Sequence, residues 1–266
     1  MNFHSVKSIT LSGNSYGTEA CRWIADNVLT HCANLERVNF SNIFISRLKE
    51  DLPISLKLLM DAVNDKKITH CDLSHNAFGP QGIASFEKFL EGANHLTHLD
   101  VSNCGLSPAG GEMIAAALMK NDDMKLQEFA GTRSRLEEEG LTALSGVFKK
   151  QHSLVKLDVM QNGSKRGLAP LLESLVDCKD TLKELIINDN KSINRAVPQL
   201  IECIKNCHNL EVLNISDLNL KHKYINSVVD AIIESLETNK KLHTLIWNYD
   251  LSRSHSAAKS FIQRLS

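Results

Sequence analysis

The chain of 266 residues is 42% hydrophobic and 23% charged, a composition typical of a soluble globular protein with a full-sized core. Its 30 basic and 31 acidic side chains leave a formal net charge of -1, so we expect no nucleic acid partner bound through bulk positive charge. No apolar run approaches the roughly 18 residues that span a bilayer, and no membrane partner is expected.

The cysteines are odd in number and scattered singly along the chain, as Cys21, Cys32, Cys71, Cys104, Cys178, Cys203 and Cys207. This pattern indicates free thiols that pack as small hydrophobic side chains. The first seven residues, MNFHSVK, contain no apolar segment of the kind found in secretory signals. Together these features predict a protein of a reducing compartment, the cytoplasm.

An apolar repeat of the form L-x-x-L-x-L-x-x-N runs through the whole chain and recurs every 28 to 33 residues. Its nine copies begin at Val6, Leu35, Ile68, Leu96, Leu126, Leu154, Leu182, Leu210 and Leu242. Such a period indicates a leucine-rich repeat array, in which each copy stacks on its neighbours because it cannot bury its own apolar face. We therefore predict a single leucine-rich repeat domain over residues 1–266.

Each copy predicts a short strand followed by a helix. Apolar residues alternate in the strand segments, and residues 225–233 carry the apolar spacing of an amphipathic helix, while residues 110–118 also suit a helix. Because helices are wider than strands, the stack must curve with its strands inside. The expected fold class is α/β: a leucine-rich repeat solenoid, a ribonuclease-inhibitor-like horseshoe of about nine repeats with parallel strands inside and helices outside.

Two steps of the repeat are longer than the others. The 33-residue step contains residues 40–53, which we interpret as an enlarged loop between a strand and a helix, and such enlargements often mark the binding edge of an array. The 32-residue step before Leu242 predicts a longer helix. The asparagine of each repeat is expected to bond backbone groups in the turn after the strand.

Motifs for nucleotide binding and for covalent catalysis are absent. The sequence contains no G-x-x-x-x-G-K-[ST] loop and no G-x-S-x-G motif, so we expect neither an enzyme nor a cofactor. Cys203 and Cys207 lie four residues apart beside His208, but a closed zinc site needs four ligands, so we expect core packing and no metal. The histidines near strand starts show no carboxylate pattern and are expected on the sheet surface: His70, His95, His98 and His243.

Several motifs resemble those of the Ran GTPase-activating proteins. Residues 9–23 are similar to the opening repeat of that family, and residues 41–53, SNIFISRLKEDLP, are similar to its loop of the form S-D-[IM]-F-T-G-R with a trailing proline. Residues 73–80, LSHNAFGP, match the family's LSDNAFGP at all but one position. Residues 135–137 and 160–163 resemble two later motifs, so the resemblance covers most of the chain.

The resemblance implies a cytoplasmic activator of the nuclear-transport GTPase Ran in its GTP form. Such a protein completes the active site of its partner from loops on one rim. The family's pivotal asparagine, which acts in catalysis, maps to Ser134 with Arg133 beside it; Ser in place of Asn is the main departure, because one hydroxyl replaces an acceptor and a donor. The partner-binding residues implied are Arg47, Lys49, Asn42, Asn76, Asn162, Asp189 and Asp217.

Two alternatives stay open on the sequence. One is a non-catalytic scaffold resembling the ribonuclease inhibitors, which share the repeat period but are richer in cysteine and lack the enlarged loop. The other is a protein that binds Ran and has lost activation, an alternative that the Ser134 departure supports. For the individual residues, solvated loop charges and turn capping are the competing structural roles.

Overall fold

Nine three-residue strands form one parallel sheet in which the strand order follows the chain. The computed structural model describes residues 3–163, 166–190, 193–248, 258–259 and 262–263. The strands are β1 Ser8–Thr10, β2 Arg37–Asn39, β3 His70–Asp72, β4 His98–Asp100, β5 Glu128–Ala130, β6 Lys156–Asp158, β7 Glu184–Ile186, β8 Val212–Asn214 and β9 Thr244–Ile246. Equivalent repeat positions pair across the sheet, as Cys71 pairs with Leu99, so the register read from the repeat is confirmed.

A helical layer covers the other side of each strand. The α-helices of the described residues are α1 Thr18–Asn27, α2 Asp51–Val63, α3 Glu87–Gly92, α4 Ser107–Lys120, α5 Glu137–Gln151, α6 Leu168–Val176, α7 Val197–Asn206 and α8 His222–Thr238. Each helix packs against the helix of the next repeat. A helix is about 10 Å wide whereas strands are about 4.8 Å apart, so the array curves with the sheet inside. The predicted α/β leucine-rich repeat solenoid is confirmed.

The core lies between the sheet and the helices. In the seven strands from β2 to β8 the middle residue is buried, and its two neighbours face the solvent side. This alternation is the period of two that the sequence shows. The seven inward residues are Val38, Cys71, Leu99, Phe129, Leu157, Leu185 and Leu213.

The third repeat departs from the predicted pattern of one full helix per repeat. It contains a 3-10 helix at Pro80–Ser85 and then the six-residue α3. A Cβ on Gly82 would lie 2.5 Å from the Cβ of Phe78, which is 2% exposed, so the chain at this point wraps closely around the Phe78 ring. Phe86 packs edge-on against Phe78 with ring centroids 5.5 Å apart, and both rings lie in the core.

The two longer steps are built as predicted. Residues 40–50 connect β2 to α2, and we call this segment the enlarged loop. Pro53 lies in the first turn of α2, where its missing N–H is tolerated. The 32-residue step contains α8, which at 17 residues is the longest helix of the described residues.

Buried hydrogen bonds at the ninth position of the repeats, that of the repeat asparagine, join each repeat to the one before it. We call these positions the ladder; it comprises Asn76, Cys104, Ser134, Asn162 and Asn190, each at most 4% exposed. The Oδ1 atom of Asn162 accepts the N–H groups of Ser134 at 3.2 Å and Leu136 at 3.0 Å. Its Nδ2 atom donates to the carbonyls of Gly131 and Val159. One side chain thus satisfies backbone groups in two repeats, as the sequence predicts for the repeat asparagine.

We expect Asn162→Ala to lower the free energy of unfolding by about 2–5 kcal/mol, because two buried N–H groups lose their acceptor and each such loss costs about 1–3 kcal/mol. Urea unfolding followed by circular dichroism measures the change. The matched control is Gln161→Ala at the exposed neighbouring position, which we expect to stay within about 0.5 kcal/mol of the parent. Equal losses in the two variants contradict the ladder's role.

Candidate partner-binding rim

A row of turn residues follows the strands along one edge of the sheet. We call it the rim ridge; it is the eighth position of the repeats and comprises Gly13, Asn42, His75, Asn103, Arg133, Gln161, Asp189 and Asp217. Each has a left-handed backbone, with φ between 53° and 83°, and all are exposed apart from the half-buried Asn42. Since the strands are parallel, every one of these turns lies at the same edge of the sheet.

Backbone hydrogen bonds fix the spacing of the rim ridge. From Asn42 onward, the N–H of each ridge residue donates to a carbonyl in the next repeat, at 2.7–3.4 Å. The N–H of Arg133, for example, donates to the carbonyl of Met160, and the N–H of Asp189 to that of Ser216. The ridge is therefore a preformed row with one side chain about every 4.8 Å.

Two ridge positions carry residues that the left-handed conformation does not favour. Gly, Asn, Asp and His adopt this backbone most easily, whereas Arg133 and Gln161 adopt it against their intrinsic preference. Their side chains are exposed, so core packing does not require them. Such outliers concentrate at functional sites, which makes these two positions candidates for contact with a partner.

The enlarged loop adjoins the rim ridge at its N-terminal end and is tied to the first repeat. The Nε atom of Arg47 donates to Ser15 Oγ at 2.9 Å, and Nη2 donates to the Ser15 carbonyl at 2.8 Å. Ser15 Oγ in turn donates to the carbonyl of Ile45 at 2.5 Å. Lys49 is exposed, and it makes no hydrogen bond or ion pair with another described residue. Ser15 is a contributor that the sequence motifs did not indicate.

The structure places six of the nine residues implied by the resemblance on this rim. Four lie in the rim ridge, namely Asn42, Arg133, Asp189 and Asp217. Arg47 and Lys49 lie in the enlarged loop. The enlarged loop and Arg133 follow β2 and β5, so roughly 14 Å of sheet separates them on one edge. Gly13, His75, Asn103 and Gln161 complete the ridge, and the repeat register was the signal that could have found them.

The other three residues, Ser134, Asn162 and Asn76, lie in the ladder, where their side chains are buried. Ser134 is fully buried, Asn162 is 1% exposed and Asn76 is 4% exposed. The Ser134 hydroxyl donates to the Val101 carbonyl at 2.8 Å, a bond that joins neighbouring repeats. The physical reason for their burial is the turn itself: the left-handed residue at the eighth position turns outward, and the side chain at the ninth position then points inward. Ser134 therefore holds the turn that presents Arg133.

Charge is divided along the rim. The basic residues Arg47, Lys49 and Arg133 come first along the rim, and the acidic residues Asp189 and Asp217 follow them towards its C-terminal end. Arg133 Nε donates to Gln161 Oε1 in the next repeat, which orients the guanidinium along the ridge. The ridge can therefore place donors opposite an acidic or phosphate-bearing surface and carboxylates opposite a basic one.

The open face of the sheet carries paired charges between repeats. Lys156 Nζ lies 2.9 Å from Glu184 Oε2, and His98 Nε2 lies 3.1 Å from Glu128 Oε1. The expectation that these histidines have no carboxylate partner is therefore wrong for His98. Its ring stacks on His70 with centroids 3.7 Å apart, and burial together with His98 and Arg37 lowers the pKa of His70.

Aspartates occupy the fifth position of three repeats on this face, as Asp72, Asp100 and Asp158, and they accept hydrogen bonds from the turn. Asp100 Oδ1 accepts the N–H of Ser102 at 2.8 Å. Burial raises the pKa of Asp100, and the neighbouring carboxylates of Asp72 and Asp158 raise it further, while the Ser102 bonds oppose this. The same position holds Asn214 in β8, and its Oδ1 atom accepts the N–H of Ser216 at 3.3 Å. An amide therefore fits this turn as well as a carboxylate.

We expect Asp100→Asn to raise the unfolding midpoint at pH 7. A carboxyl whose pKa is raised by folding binds its proton more tightly in the folded state, so its ionised form weakens that state at neutral pH. The advantage of the amide should disappear below about pH 4, where the parent carboxyl is protonated in both states. Thermal unfolding at pH 7 and pH 3.5 checks this, with Glu112→Gln on the exposed face of α4 as control. A midpoint that is unchanged or lower at pH 7 contradicts it.

The cysteines serve the core. All seven are free and buried, and burial raises the pKa of Cys21 to about 11. The Sγ atoms of Cys203 and Cys207 lie 3.8 Å apart at the end of α7, both fully buried. Among the described residues no three His, Cys, Asp or Glu side chains are grouped so as to hold a metal. Within that same part of the chain, no helix has the length and apolar character needed to cross a bilayer.

Comparison with known proteins identifies relatives of the array. A leucine-rich repeat family model matches residues 92–115. Ran GTPase-activating protein 1 of Xenopus laevis is 35% identical over 173 residues, which is 60% of this chain and 30% of that protein. The Ran GTPase-activating protein of Drosophila melanogaster is 32% identical over 183 residues, 64% of this chain and 30% of the relative.

The similarity extends along almost the whole chain in one relative. Ran GTPase-activating protein 1 of Saccharomyces cerevisiae is 30% identical over 271 residues, covering 96% of this chain and 65% of that protein. The chain thus spans from about a third to just under two thirds of the length of these curated relatives. The similarity falls on the repeats that build the sheet, the ladder and the rim ridge. Along its leucine-rich repeats, the chain is therefore similar to Ran GTPase-activating proteins of animals and yeast.

Proposed function

We propose that this protein stimulates GTP hydrolysis by a Ran-like small GTPase and that it acts on the GTP form. The observation that carries the proposal is the similarity to Ran GTPase-activating proteins along the array that presents the rim. The exposed residues of the rim support it, because they form a preformed polar row on one edge. Activators of this class raise hydrolysis rates by roughly 10³–10⁵-fold when they complete a partner's site.

The chemistry is proposed to take place in the partner's active site. The sequence has no phosphate-binding loop of its own, so the activator would contribute positioning and fixed polar groups and would not itself be the hydrolase. Arg133 is proposed to meet the region around the nucleotide, while Asn42, Lys49, Asp189 and Asp217 are proposed to bind and orient the partner. Ser134, Asn76 and Asn162 are proposed as positioning residues that act through the turns they hold.

The setting of this activity also belongs to the proposal. A role in nucleocytoplasmic transport, exercised from the cytoplasm, is supported by the family and by the seven free cysteines, which suit a reducing compartment. A single leucine-rich repeat domain over residues 1–266 is supported by the continuous sheet from β1 to β9.

Catalytic amounts of the protein should accelerate phosphate release from Ran loaded with GTP by at least 10³-fold over the intrinsic rate. The measurement is phosphate release under multiple turnover, with binding to GTP-loaded and GDP-loaded Ran measured alongside. Binding that prefers the GTP form without stimulated release indicates a Ran binder that has lost activation. Neither binding nor release indicates a scaffold for another target and contradicts the proposal.

Substitutions at Ser134 separate a positioning role from a direct one. We expect Ser134→Asn to match or raise the stimulated rate, since asparagine occupies three of the five ladder positions and makes the same inter-repeat bonds. Ser134→Ala should lower the rate and the unfolding midpoint together, because the Val101 carbonyl loses its donor. Single-turnover hydrolysis at saturating activator checks this, with Arg133→Ala as the comparison, which should slow hydrolysis without changing the midpoint. A rate insensitive to all three variants removes this turn from the site.

A further inference from the structure

Large apolar side chains are exposed in and around the enlarged loop. The described residues expose seven such side chains to a large extent: Trp23, Ile45, Leu48, Ile54, Met119, Ile246 and Ile262. Three of these seven fall within residues 45–54, and Leu48 at 68% is the most exposed. Single exposed hydrophobic residues are ordinary, whereas several in one short segment are typical of a surface that another molecule covers.

The enlarged loop is anchored to the rest of the molecule, although it exposes these apolar residues. Ile43 is fully buried and Phe44 is 6% exposed, so the start of the loop fills the core. The N–H of Ile43 donates to Asn76 Oδ1 at 2.9 Å, and its carbonyl accepts the N–H of Tyr16 at 2.9 Å. Ile45 follows directly and is 50% exposed. The apolar residues are thus presented by a fixed backbone, and a fixed contact surface loses little conformational entropy on binding.

The guanidinium of Arg47 is hydrogen-bonded within its own chain. Two of the five N–H groups of its guanidinium donate to Ser15, and the Ser15 hydroxyl donates to the carbonyl of Ile45, which closes a ring of hydrogen bonds between the first and second repeats. The guanidinium also lies against Gly17, where an added Cβ would be 3.3 Å from Nη1. Through these bonds Arg47 holds the enlarged loop in place. Ile45 and Leu48, which lie on either side of Arg47 in the sequence, are exposed.

We propose that Ile45 and Leu48 are the residues of the enlarged loop that contact the GTPase, and that Arg47 is a positioning residue that acts through Ser15. This inference rests on the proposed function, in which the rim contacts the GTPase. The enlarged loop continues the rim ridge on the same edge of the sheet, so it would face the same partner. The surface of the GTPase that matches Ile45 and Leu48 is an apolar patch. A carboxylate borders this patch, since the exposed ammonium of Lys49 lies next to Leu48 in the chain. Apolar side chains in a desolvated centre commonly dominate binding energy, while charges at a rim contribute less.

The first test replaces the exposed apolar residues. The double substitution Ile45→Ser and Leu48→Ser should raise the activator concentration for half-maximal hydrolysis of Ran·GTP at least tenfold. The maximal rate at saturating activator should stay within twofold. Met119→Ser, on α4 and 41% exposed, is the matched control and should leave both values unchanged. An unchanged half-maximal concentration in the double variant overturns the inference, while stimulated hydrolysis by the parent keeps the proposed function.

The second test asks whether Arg47 acts through Ser15. Ser15→Ala, Arg47→Ala and their double variant are compared for half-maximal concentration, and unfolding midpoints show whether each variant is folded. If Arg47 acts through Ser15, the double variant should be no weaker than the weaker single variant. Fold-changes that multiply in the double variant overturn the positioning role and place Arg47 in contact with the partner. A parent protein that stimulates no hydrolysis contradicts the proposed function itself, which is a different result from either.

Discussion

The constraint on which this molecule depends is the need to satisfy backbone groups where each strand ends. Because each strand has only three residues, the chain leaves the sheet after a short distance. The backbone N–H and C=O groups of the following turn then lie close to the core. Two sets of bonds answer this need. The N–H of each rim ridge residue from Asn42 onward donates to the next repeat, and the ladder side chains bond the backbone of the previous one. A repeat is therefore fixed from both sides, and the edge of the sheet becomes as regular as the sheet.

That regularity has a functional consequence for the rim. Neighbouring residues such as Arg133 and Ser134 receive opposite roles, because the left-handed turn sends the first outward and the second into the ladder. A substitution at the buried position therefore reaches the exposed one through the backbone. Ser134 fits this arrangement, since its hydroxyl donates to the Val101 carbonyl in the previous repeat. A substitution of Ser134 is expected to change the rigidity of the turn.

On the open face of the sheet, the relevant interactions are those between charged side chains. Charges there stand in rows about 4.8 Å apart, so opposite signs in neighbouring repeats pair, as Lys156 does with Glu184. Like charges in the same row oppose one another, and this repulsion contributes to the raised pKa of Asp100. Such exposed pairs stabilise the fold only slightly.

The repeat period alone determined the strand order, the register and the positions that face the core, because stacking copies of nearly constant length brings equivalent residues side by side. It also located the enlarged loop and the long α8. It did not determine the third repeat, where close packing of the chain around Phe78 replaced a full helix. The period also did not show that Arg133 is exposed while Ser134 is buried. It did not show that His98 pairs with Glu128 or that Arg47 bonds to Ser15. Those features depend on backbone dihedral angles at single turns and on contacts between repeats, and these are decided only when the tertiary structure brings distant segments together.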